Sequence, residues 1–215
     1  MTDNTPKIVY RFKNALYINL TNRCPNACVF CIKTTFAMRF HQYNLNLCGQ
    51  EPSAQQVLAE LYKGIQEQPV EEVVFCGYGE PTMRLPVLLE IAQTLKDKIK
   101  SGQLKPFAIR LNTIGLGNIV HGRDITGDLA KVLDKINISI NSPYKEEWAA
   151  LVRPKQEYAK DGYESVLDFI RLCAQKMDNV IVSIVDKQKV DVKKTKELVE
   201  SLGAKLYIRE FIDEQ

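Results

Sequence analysis

Residues 16–31 read LYINLTNRCPNACVFC, a short alternating strand that runs directly into a loop with three cysteines. Tyr17 and its aliphatic neighbours are residue types enriched in strands, whereas Pro25 and Asn26 favour turns. The three cysteines follow the spacing C-x3-C-x2-C, so three thiols lie within eight residues. The stretch therefore predicts a strand followed by a loop that wraps around a ligand bound by Cys24, Cys28 and Cys31.

Three thiols at this spacing favour an iron–sulfur cluster. Cysteine thiolates hold such clusters, and three ligands on a four-iron cluster leave one iron open to bind another molecule. A structural zinc site is the first alternative, but it wants four ligands, typically as two C-x2-C pairs. His41 and Cys48 are the nearest further zinc ligands, at an unrelated spacing. The second alternative is buried free cysteines, which a polar, turn-rich loop disfavours.

Strands and helices alternate along the rest of the chain. Ser53 and Gln56 form a capping box at the start of the first helix, and Gly203 ends the last one. Strand patterns follow at residues 73–76, 107–111, 136–140, 180–185 and 206–211, and apolar helical faces occur at residues 57–65, 85–99, 129–133, 166–177 and 192–202. The alternation predicts an α/β fold with six parallel strands and right-handed crossovers. We expect a six-stranded parallel partial (βα)6 barrel in one domain, residues 1–215, because a complete eightfold barrel needs about 250 residues.

Glycines and polar residues follow the predicted strands. Gly77–Glu80 comes after the second strand, Asn112 and Thr113 after the third, and Ser139 and Asn141 alternate at the end of the fourth. In parallel sheets, ligands bind at the carboxyl ends of the strands. The sequence therefore predicts one binding site at this edge of the sheet, next to the cysteine loop.

The cysteine spacing, with Phe30 before the last cysteine, resembles the signature of the radical S-adenosylmethionine (SAM) superfamily. The segment Gly77-Tyr78-Gly79-Glu80-Pro81 resembles the glycine-rich motif of that family, and the resemblance extends along the whole chain. It implies a radical SAM core that carries a [4Fe-4S] cluster and binds SAM at the open iron. It further implies that Glu80 and the backbone of residues 77–79 receive the SAM amino group, and that Phe30 lies near adenine. Physical chemistry agrees, since glycines let backbone approach a ligand and a carboxylate pairs with an ammonium group.

Further segments resemble the family less closely. Asn112-Thr113-Ile114-Gly115 is similar to the D-T-N-G segment of glycyl-radical-enzyme activases, from which it departs at Ile114. By the same resemblance, Ser139 and Asn141 reach ribose or carboxylate, and Val185 touches adenine through its backbone. The alternative is that these polar side chains are satisfied by neighbouring backbone. The segments at residues 141–143 and 151–154 also resemble the family.

The function implied by the resemblance is reductive cleavage of SAM to methionine and a deoxyadenosyl radical, which abstracts hydrogen from a small-molecule or protein substrate. Residues 19–33 most resemble radical SAM proteins associated with TatD-family nucleases. Carboxy-deazaguanine synthase and a glycyl-radical-enzyme activase are the enzyme alternatives, and an iron–sulfur electron carrier is the non-enzyme alternative. Arg153 and Arg209 are candidate ligands of an anionic substrate group. We expect an external electron donor of the flavodoxin or ferredoxin type.

Composition excludes several other classes. The net charge is only +3 and the densest run of lysines is interrupted by acidic residues, so nucleic-acid binding is not expected. No apolar run approaches the roughly 20 residues of a membrane span, and no signal-peptide core is visible. We therefore expect a cytoplasmic protein. Among the other cysteines, Cys76 and Cys173 are expected in the core and Cys48 on the surface.

The first prediction concerns the metal. Anaerobically reconstituted protein is expected to hold about four irons and four sulfides per chain. Replacing Cys24, Cys28 or Cys31 by Ala should abolish stable loading, because each thiolate holds one iron. Iron and sulfide analysis measures this, and stoichiometric zinc without iron in the native protein contradicts the assignment.

The matched control replaces Cys48, Cys76 and Cys173 together by Ser. Iron per folded chain should not change, although a buried hydroxyl without a partner costs about 1–3 kcal/mol of stability. A fall from about eight irons to about four would reveal a second cluster.

Overall fold

The computed structural model describes residues 5–185 and 190–210. One sheet has seven strands and a separate ribbon has two. The strands of the sheet are β1 (Val9–Phe12), β2 (Ala15–Ile18), β5 (Glu72–Phe75), β6 (Ala108–Thr113), β7 (Lys135–Ser139), β8 (Val180–Val185) and β9 (Lys205–Arg209), and those of the ribbon are β3 (Arg39–Phe40) and β4 (Tyr43–Asn44). Along the sheet the order is β1-β2-β5-β6-β7-β8-β9, and neighbours from β2 onward pair in parallel.

The sheet is therefore mostly parallel, as expected, but it has seven strands where the sequence analysis expected six. The additional strand is β1, which pairs antiparallel with β2 through a tight turn at Lys13, whose φ is 52°. Tyr10 stacks on Tyr17 with 5.5 Å between ring centroids, and Phe12 contacts the same ring edge-on. Aromatic pairing between β1 and β2 stabilises β1 on the sheet. The four residues of β1 alone do not predict this contact. The closure of the sheet into a partial barrel stays a prediction.

Helices lie between the parallel strands. They are α1 (Ile32–Thr35), α2 (Ala54–Glu67), α3 (Leu85–Lys100), α4 (Gly117–His121), α5 (Thr126–Val132), α6 (Lys145–Val152), α7 (Gln156–Ala159), α8 (Gly162–Ala174) and α9 (Val192–Ser201), with a 3-10 turn at Pro81–Arg84. The capping box at Ser53 is confirmed in both directions, since its hydroxyl accepts from Gln56 N and its N–H donates to the Gln56 side chain. Helices α1, α4, α6 and α7 were not predicted; α1, α4 and α7 have only four or five residues, too few to show an apolar period, and α6 has only two buried residues.

Two strand boundaries differ from the predicted ones in ways that concern the site. Asn112 and Thr113 were expected after the third strand, yet they are the last two residues of β6. The hydrogen bonds of β7 to β6 extend to the Thr113–Ile138 pair and lengthen the strand. The last strand was predicted to reach Phe211, which lies outside the described residues.

The sheet has one apolar and one polar face. Ile136 and Ile138 of β7 are buried with the helices in the main core, whereas the alternate residues Lys135, Asn137 and Ser139 point to the other face. The strand registers place further polar side chains on that same face: Glu72, Arg110, Asn112, Ser183 and Arg209. We call this the polar face of the sheet.

Ion pairs fill the amino-terminal part of the polar face. Glu72 pairs with Arg110 at 2.8 Å and with Lys135 at 3.0 Å. The remaining polar side chains at the carboxyl ends of the strands are therefore the ones available to a ligand. Within the described ranges, no helix has the length and apolar character needed to cross a membrane.

Candidate active site

The carboxyl ends of the parallel strands border a cavity of about 260 Å³. The cavity brings together every residue that the sequence analysis assigned to the site: Cys24, Cys28, Phe30, Cys31, Gly77, Tyr78, Gly79, Glu80, Asn112, Thr113, Ser139, Asn141 and Val185. The residues come from the cysteine loop and from the ends of β5, β6, β7 and β8. Parallel pairing places these ends at one edge of the sheet, which explains why distant segments converge there.

Backbone hydrogen bonds fix the cysteine loop from one side. Ala27 N donates to the carbonyls of Val152 and Arg153 at 3.1 Å, and Val29 N donates to Leu151 O at 2.9 Å. Lys155 N donates to Pro25 O at 2.9 Å. Residues 151–155, which follow or end α6, therefore brace the loop. We call this segment the loop brace.

A partly exposed ion-pair cluster fixes the loop from the other side. Glu51 accepts from Arg23 Nε at 2.8 Å, lies 3.4 Å from an Arg84 nitrogen, and accepts a short hydrogen bond from Thr21. Glu80 N donates to Arg23 O at 2.9 Å, which joins the start of the loop to the glycine turn after β5. The cysteine loop is thus held at both ends before any metal binds.

Burial governs the protonation of two of the cysteines. Burial and the nearby Glu80 carboxylate together raise the pKa of Cys24 to about 11, and burial raises the pKa of Cys28 to about 12. Both groups are therefore thiols at neutral pH without metal, and iron binding displaces their protons. Among the described residues, no three His, Cys, Asp or Glu side chains are grouped around one ion. A four-iron cluster does not need such a grouping, since each thiolate binds a different iron.

The glycine turn lies against the cysteine loop without space for side chains. A Cβ on Gly79 would lie 2.3 Å from Thr21 O and 2.6 Å from Arg23 O, and a Cβ on Gly77 would lie 2.4 Å from Asn19 Oδ1. Only glycine permits this approach of backbone to backbone. The glycine turn and the cysteine loop are consequently packed as one unit at the carboxyl ends of β2 and β5.

Glu80 joins the ends of two strands. Its Oε1 accepts from Thr82 N at 3.0 Å and from the hydroxyls of Thr82 and Thr113 at 2.7 and 2.8 Å, and its Oε2 accepts from Ile114 N at 2.8 Å. The residue is 1% exposed, and burial raises the pKa of its carboxyl although all four hydrogen bonds favour the charged form. Oε2 has one donor and retains capacity for another.

Asn141 lines the cavity and carries an acceptor without a hydrogen-bond partner among the described residues. It follows β7 with a φ of 65°, a left-handed conformation that asparagine tolerates. Its Oδ1 is buried and has no hydrogen-bond partner in the described structure. Since a buried acceptor without a partner costs free energy, a polar ligand in the cavity would stabilise this residue.

A sequence model of the radical SAM superfamily matches residues 18–202. This chain belongs to the radical SAM superfamily. The match includes the cysteine loop, the glycine turn and the strands β5, β6, β7 and β8. Members of the superfamily use a [4Fe-4S] cluster and SAM, so the chain is an enzyme with those cofactors.

Several known proteins are similar to this radical SAM chain. The probable dual-specificity RNA methyltransferase RlmN of Thermus thermophilus is 27% identical over 107 residues, which are 50% of this chain and 28% of that protein. The chain thus matches only about a quarter of the length of its curated relative.

Solved structures support the fold. A radical SAM methyltransferase from Sphaerobacter thermophilus has a TM-score of 0.56 at 14% identity, covering 94% of this chain and 68% of that one. The [FeFe]-hydrogenase maturase HydG has a TM-score of 0.59 at 14% identity, and the alignment covers 94% of this chain and 43% of the HydG chain. At this identity the likeness shows the radical SAM fold alone.

The structure corrects the placement of Cys76. It was expected in the core, but it lines the cavity directly after β5. Strand alternation puts it on the polar face with Glu72, and this period-two pattern is the signal that could have placed it there. Cys173 is buried in the core and Cys48 is exposed, as expected.

The cavity also includes residues that the sequence analysis did not assign to the site. Asn26, Ile32, Lys33 and Ile114 line it, and so does Arg209 of β9, which was only a candidate substrate ligand. Arg153, the other candidate, is exposed and contributes its backbone to the loop brace. Loop residues such as Asn26 carry no periodic pattern, so only the fold reveals their position.

The glycine turn gives the second prediction. Gly79→Ala should lower the free energy of unfolding by at least about 1–3 kcal/mol, because the new methyl group overlaps two backbone oxygens. The change should also weaken SAM binding, since the turn must move away from the cysteine loop. Urea unfolding and equilibrium SAM binding on iron-loaded protein measure the two effects.

Gly127→Ala is the matched control. Gly127 lies in α5, and a Cβ there meets nothing within 4 Å. This variant should gain roughly 0.5–1 kcal/mol, because alanine favours a helix interior. Equal stability of the two variants would show that the turn is not tightly packed.

The third prediction concerns Glu80. Glu80→Gln should weaken SAM binding by about one to two orders of magnitude, the loss of a charge-assisted contact of about 1.5–3 kcal/mol. The iron content should remain that of the wild type. Glu164→Gln, at an exposed carboxylate paired with Lys145, is the control and should bind SAM normally. Unchanged affinity in loaded Glu80→Gln protein would rule out a contact between Glu80 and the cofactor.

Proposed function

We propose that Cys24, Cys28 and Cys31 each bind one iron of a [4Fe-4S] cluster and that SAM binds the fourth iron inside the same cavity. The observation that carries this proposal is the opening of the three-thiol loop and the glycine turn onto one cavity. The residues present suit both groups. The thiols supply the iron ligands, the backbone of the glycine turn lines the cavity, and Asn141, which also lines it, carries a side-chain oxygen without a partner in the described part of the chain.

The chain's own residues would bind and orient the cofactor in two halves. Glu80 Oε2 and the carbonyls of Gly77–Gly79 accept from the amino group of SAM, since this turn lies beside the cysteine loop. Thr113 and Ile114 hold the Glu80 carboxylate in place through the hydrogen bonds described above. This positioning fixes the methionine half against the cluster.

The adenosine half would extend toward the later strands. Ser139 and Asn141 reach the ribose or the carboxylate of the cofactor, as does Asn112 from β6. Phe30 and Val185 contact adenine, because both present apolar surface to the cavity. Val185 is 7% exposed and sits at the end of β8, so its backbone is well placed for this contact.

When bound, the cluster and SAM supply reductive cleavage of SAM to methionine and a deoxyadenosyl radical, which abstracts hydrogen from a substrate. The protein's part is to hold these groups in register and to keep them from water. Membership in a superfamily of enzymes argues against the alternative function of an iron–sulfur electron carrier.

We further propose that the chain is a single radical SAM domain whose subfamily is that associated with TatD-family nucleases. The loop sequence at residues 19–33 supports the subfamily, and one core cluster from Leu16 to Ala204 supports the single domain. Radical SAM enzymes commonly take electrons from an external donor. A flavodoxin or ferredoxin is our proposal for that donor, and the cytoplasmic location remains a prediction.

The fourth prediction tests the reaction. Reduced, iron-loaded protein incubated anaerobically with SAM should release deoxyadenosine and methionine slowly even without substrate, because cleavage consumes one electron from the reduced cluster and the radical can take its hydrogen atom from the excess reductant or buffer. Substrate should accelerate release, since a closed and dry site suppresses unproductive chemistry. Chromatography quantifies both products.

Protein with Cys24→Ala, Cys28→Ala or Cys31→Ala should release neither product. The control is Cys48→Ala, which removes an exposed thiol outside the cavity and should behave as wild type. Absence of deoxyadenosine from fully loaded, reduced wild-type protein, even with candidate substrates present, would refute the proposed cleavage.

A further inference from the structure

Arg209, Ser139 and Ser183 form a group of polar side chains on β9, β7 and β8. Of the three, only Ser139 contacts SAM in the proposed arrangement. Arg209 enters the cavity from β9, and its Nη2 donates to Ser139 Oγ at 3.1 Å. Ser139 Oγ lies 3.5 Å from Ser183 Oγ on the neighbouring strand. The registers Ser139–Ser183 and Val185–Arg209 place the three on adjacent strands of one face.

No carboxylate of the described residues pairs with Arg209, although the next residue, Glu210, also lines the cavity. None of the ion pairs within residues 5–185 and 190–210 includes Arg209, and its Nε is buried without a hydrogen-bond partner. The groups that act on its charge are Cys76, Tyr207 and Cys28, none of them a carboxylate, and burial lowers the pKa of Arg209. Removing a cation from water without an opposite charge costs free energy.

Two other arginines show that this situation is particular to Arg209. Arg110 lies on the same polar face, but it is compensated by Glu72 at 2.8 Å. Arg153 is exposed, so water solvates its charge, and it does not line the cavity. Arg209 is therefore the guanidinium that an anionic ligand in the cavity would stabilise most.

Arg209 lies beside residues that are assigned to the adenosine half of the cofactor, although Ser139, its hydrogen-bond partner, reaches either the ribose or the carboxylate of SAM in the proposed arrangement. In the proposed arrangement the SAM carboxylate binds the open iron, whereas Val185, the register partner of Arg209, contacts adenine. Adenosine carries no negative charge. The substrate has to lie beside the adenosine 5′ carbon for hydrogen transfer, which places it at this end of the cavity.

We propose that the substrate of this enzyme carries a carboxylate or phosphate group, and that Arg209, oriented by Ser139, binds it. This inference rests on the proposed function, because it uses the cofactor arrangement given there. The planar guanidinium fork suits both oxyanions, to which it donates two parallel hydrogen bonds. The Nη groups at the end of the guanidinium are the donors for an oxyanion in the cavity, and Nη2 also donates to Ser139.

The test uses iron-loaded, SAM-saturated full-length protein and two probes, malonate and inorganic phosphate. Equilibrium titration should show saturable binding of at least one probe to the wild type, and the probe that binds identifies the oxyanion as carboxylate or phosphate. Arg209→Gln should weaken that binding about tenfold, the loss expected when a charge-assisted contact is removed. Arg209→Lys keeps the charge without the fork and should lose less.

Arg123→Gln is the matched control. Arg123 is 53% exposed and pairs with Asp128 on the surface, so this variant should bind the probes as wild type does. Lack of saturable binding of both probes to the wild type, or equal binding by the wild type and Arg209→Gln, would overturn the proposal.

A parallel titration with SAM separates the two anionic sources. If Arg209 binds the substrate, Arg209→Gln should keep its SAM affinity within about threefold of wild type. A tenfold loss of SAM affinity would overturn the proposal and assign Arg209 to the cofactor carboxylate. Iron content and deoxyadenosine release by the same wild-type sample report on the proposed function separately, so failure of probe binding in an enzyme that cleaves SAM refutes only this inference.

Discussion

The contact between the glycine turn and the backbone of the cysteine loop is the constraint on which the site depends. Gly79 meets the carbonyls of Thr21 and Arg23 so closely that a single methyl group has no space. The contact brings the end of β5 against the end of β2 and sets how far the residues that follow β5 lie from the three thiols. Glu80 then links the glycine turn to the end of β6, because its carboxylate accepts hydrogen bonds from Thr113 and Ile114. The ends of β2, β5 and β6 are therefore linked, so a shift of one of them would displace the other two.

Period-two and helical patterns predicted the parallel strands and the longer helices because burial imposes those patterns on each element separately. The predicted strand at residues 180–185 has the observed bounds of β8. The strand β1 was missed because its place depends on aromatic packing against Tyr17, a contact between strands rather than a pattern within one. The ribbon of β3 and β4 was missed for a different reason, because strands of two residues are too short to show a period-two pattern.

Most residues that line the cavity could be named from sequence because three cysteines, a glycine turn and polar strand ends are unusual residue types at these places, whereas Phe30 and Val185 were named from the resemblance to the radical SAM family. Their convergence in one cavity follows from parallel pairing. Cys76 was misplaced because a cysteine after an apolar strand is indistinguishable from a core residue unless the face is assigned first. The importance of Arg209 could not be judged from sequence at all. Its distinction is the absence of a counterion among the described residues, which is a property of the packed chain.

The loop brace has a consequence for the biogenesis of the protein. Ala27 and Val29 obtain their backbone partners from residues 151–153, more than a hundred positions later in the chain. During synthesis the cysteine loop therefore emerges long before the segment that shapes it, and closing so long a loop carries an entropic cost that only the folded sheet repays. A nascent chain thus presents three reactive thiols without their scaffold. We therefore expect stable insertion of the proposed cluster only after translation has passed α6, since the backbone partners of Ala27 and Val29 do not exist before then.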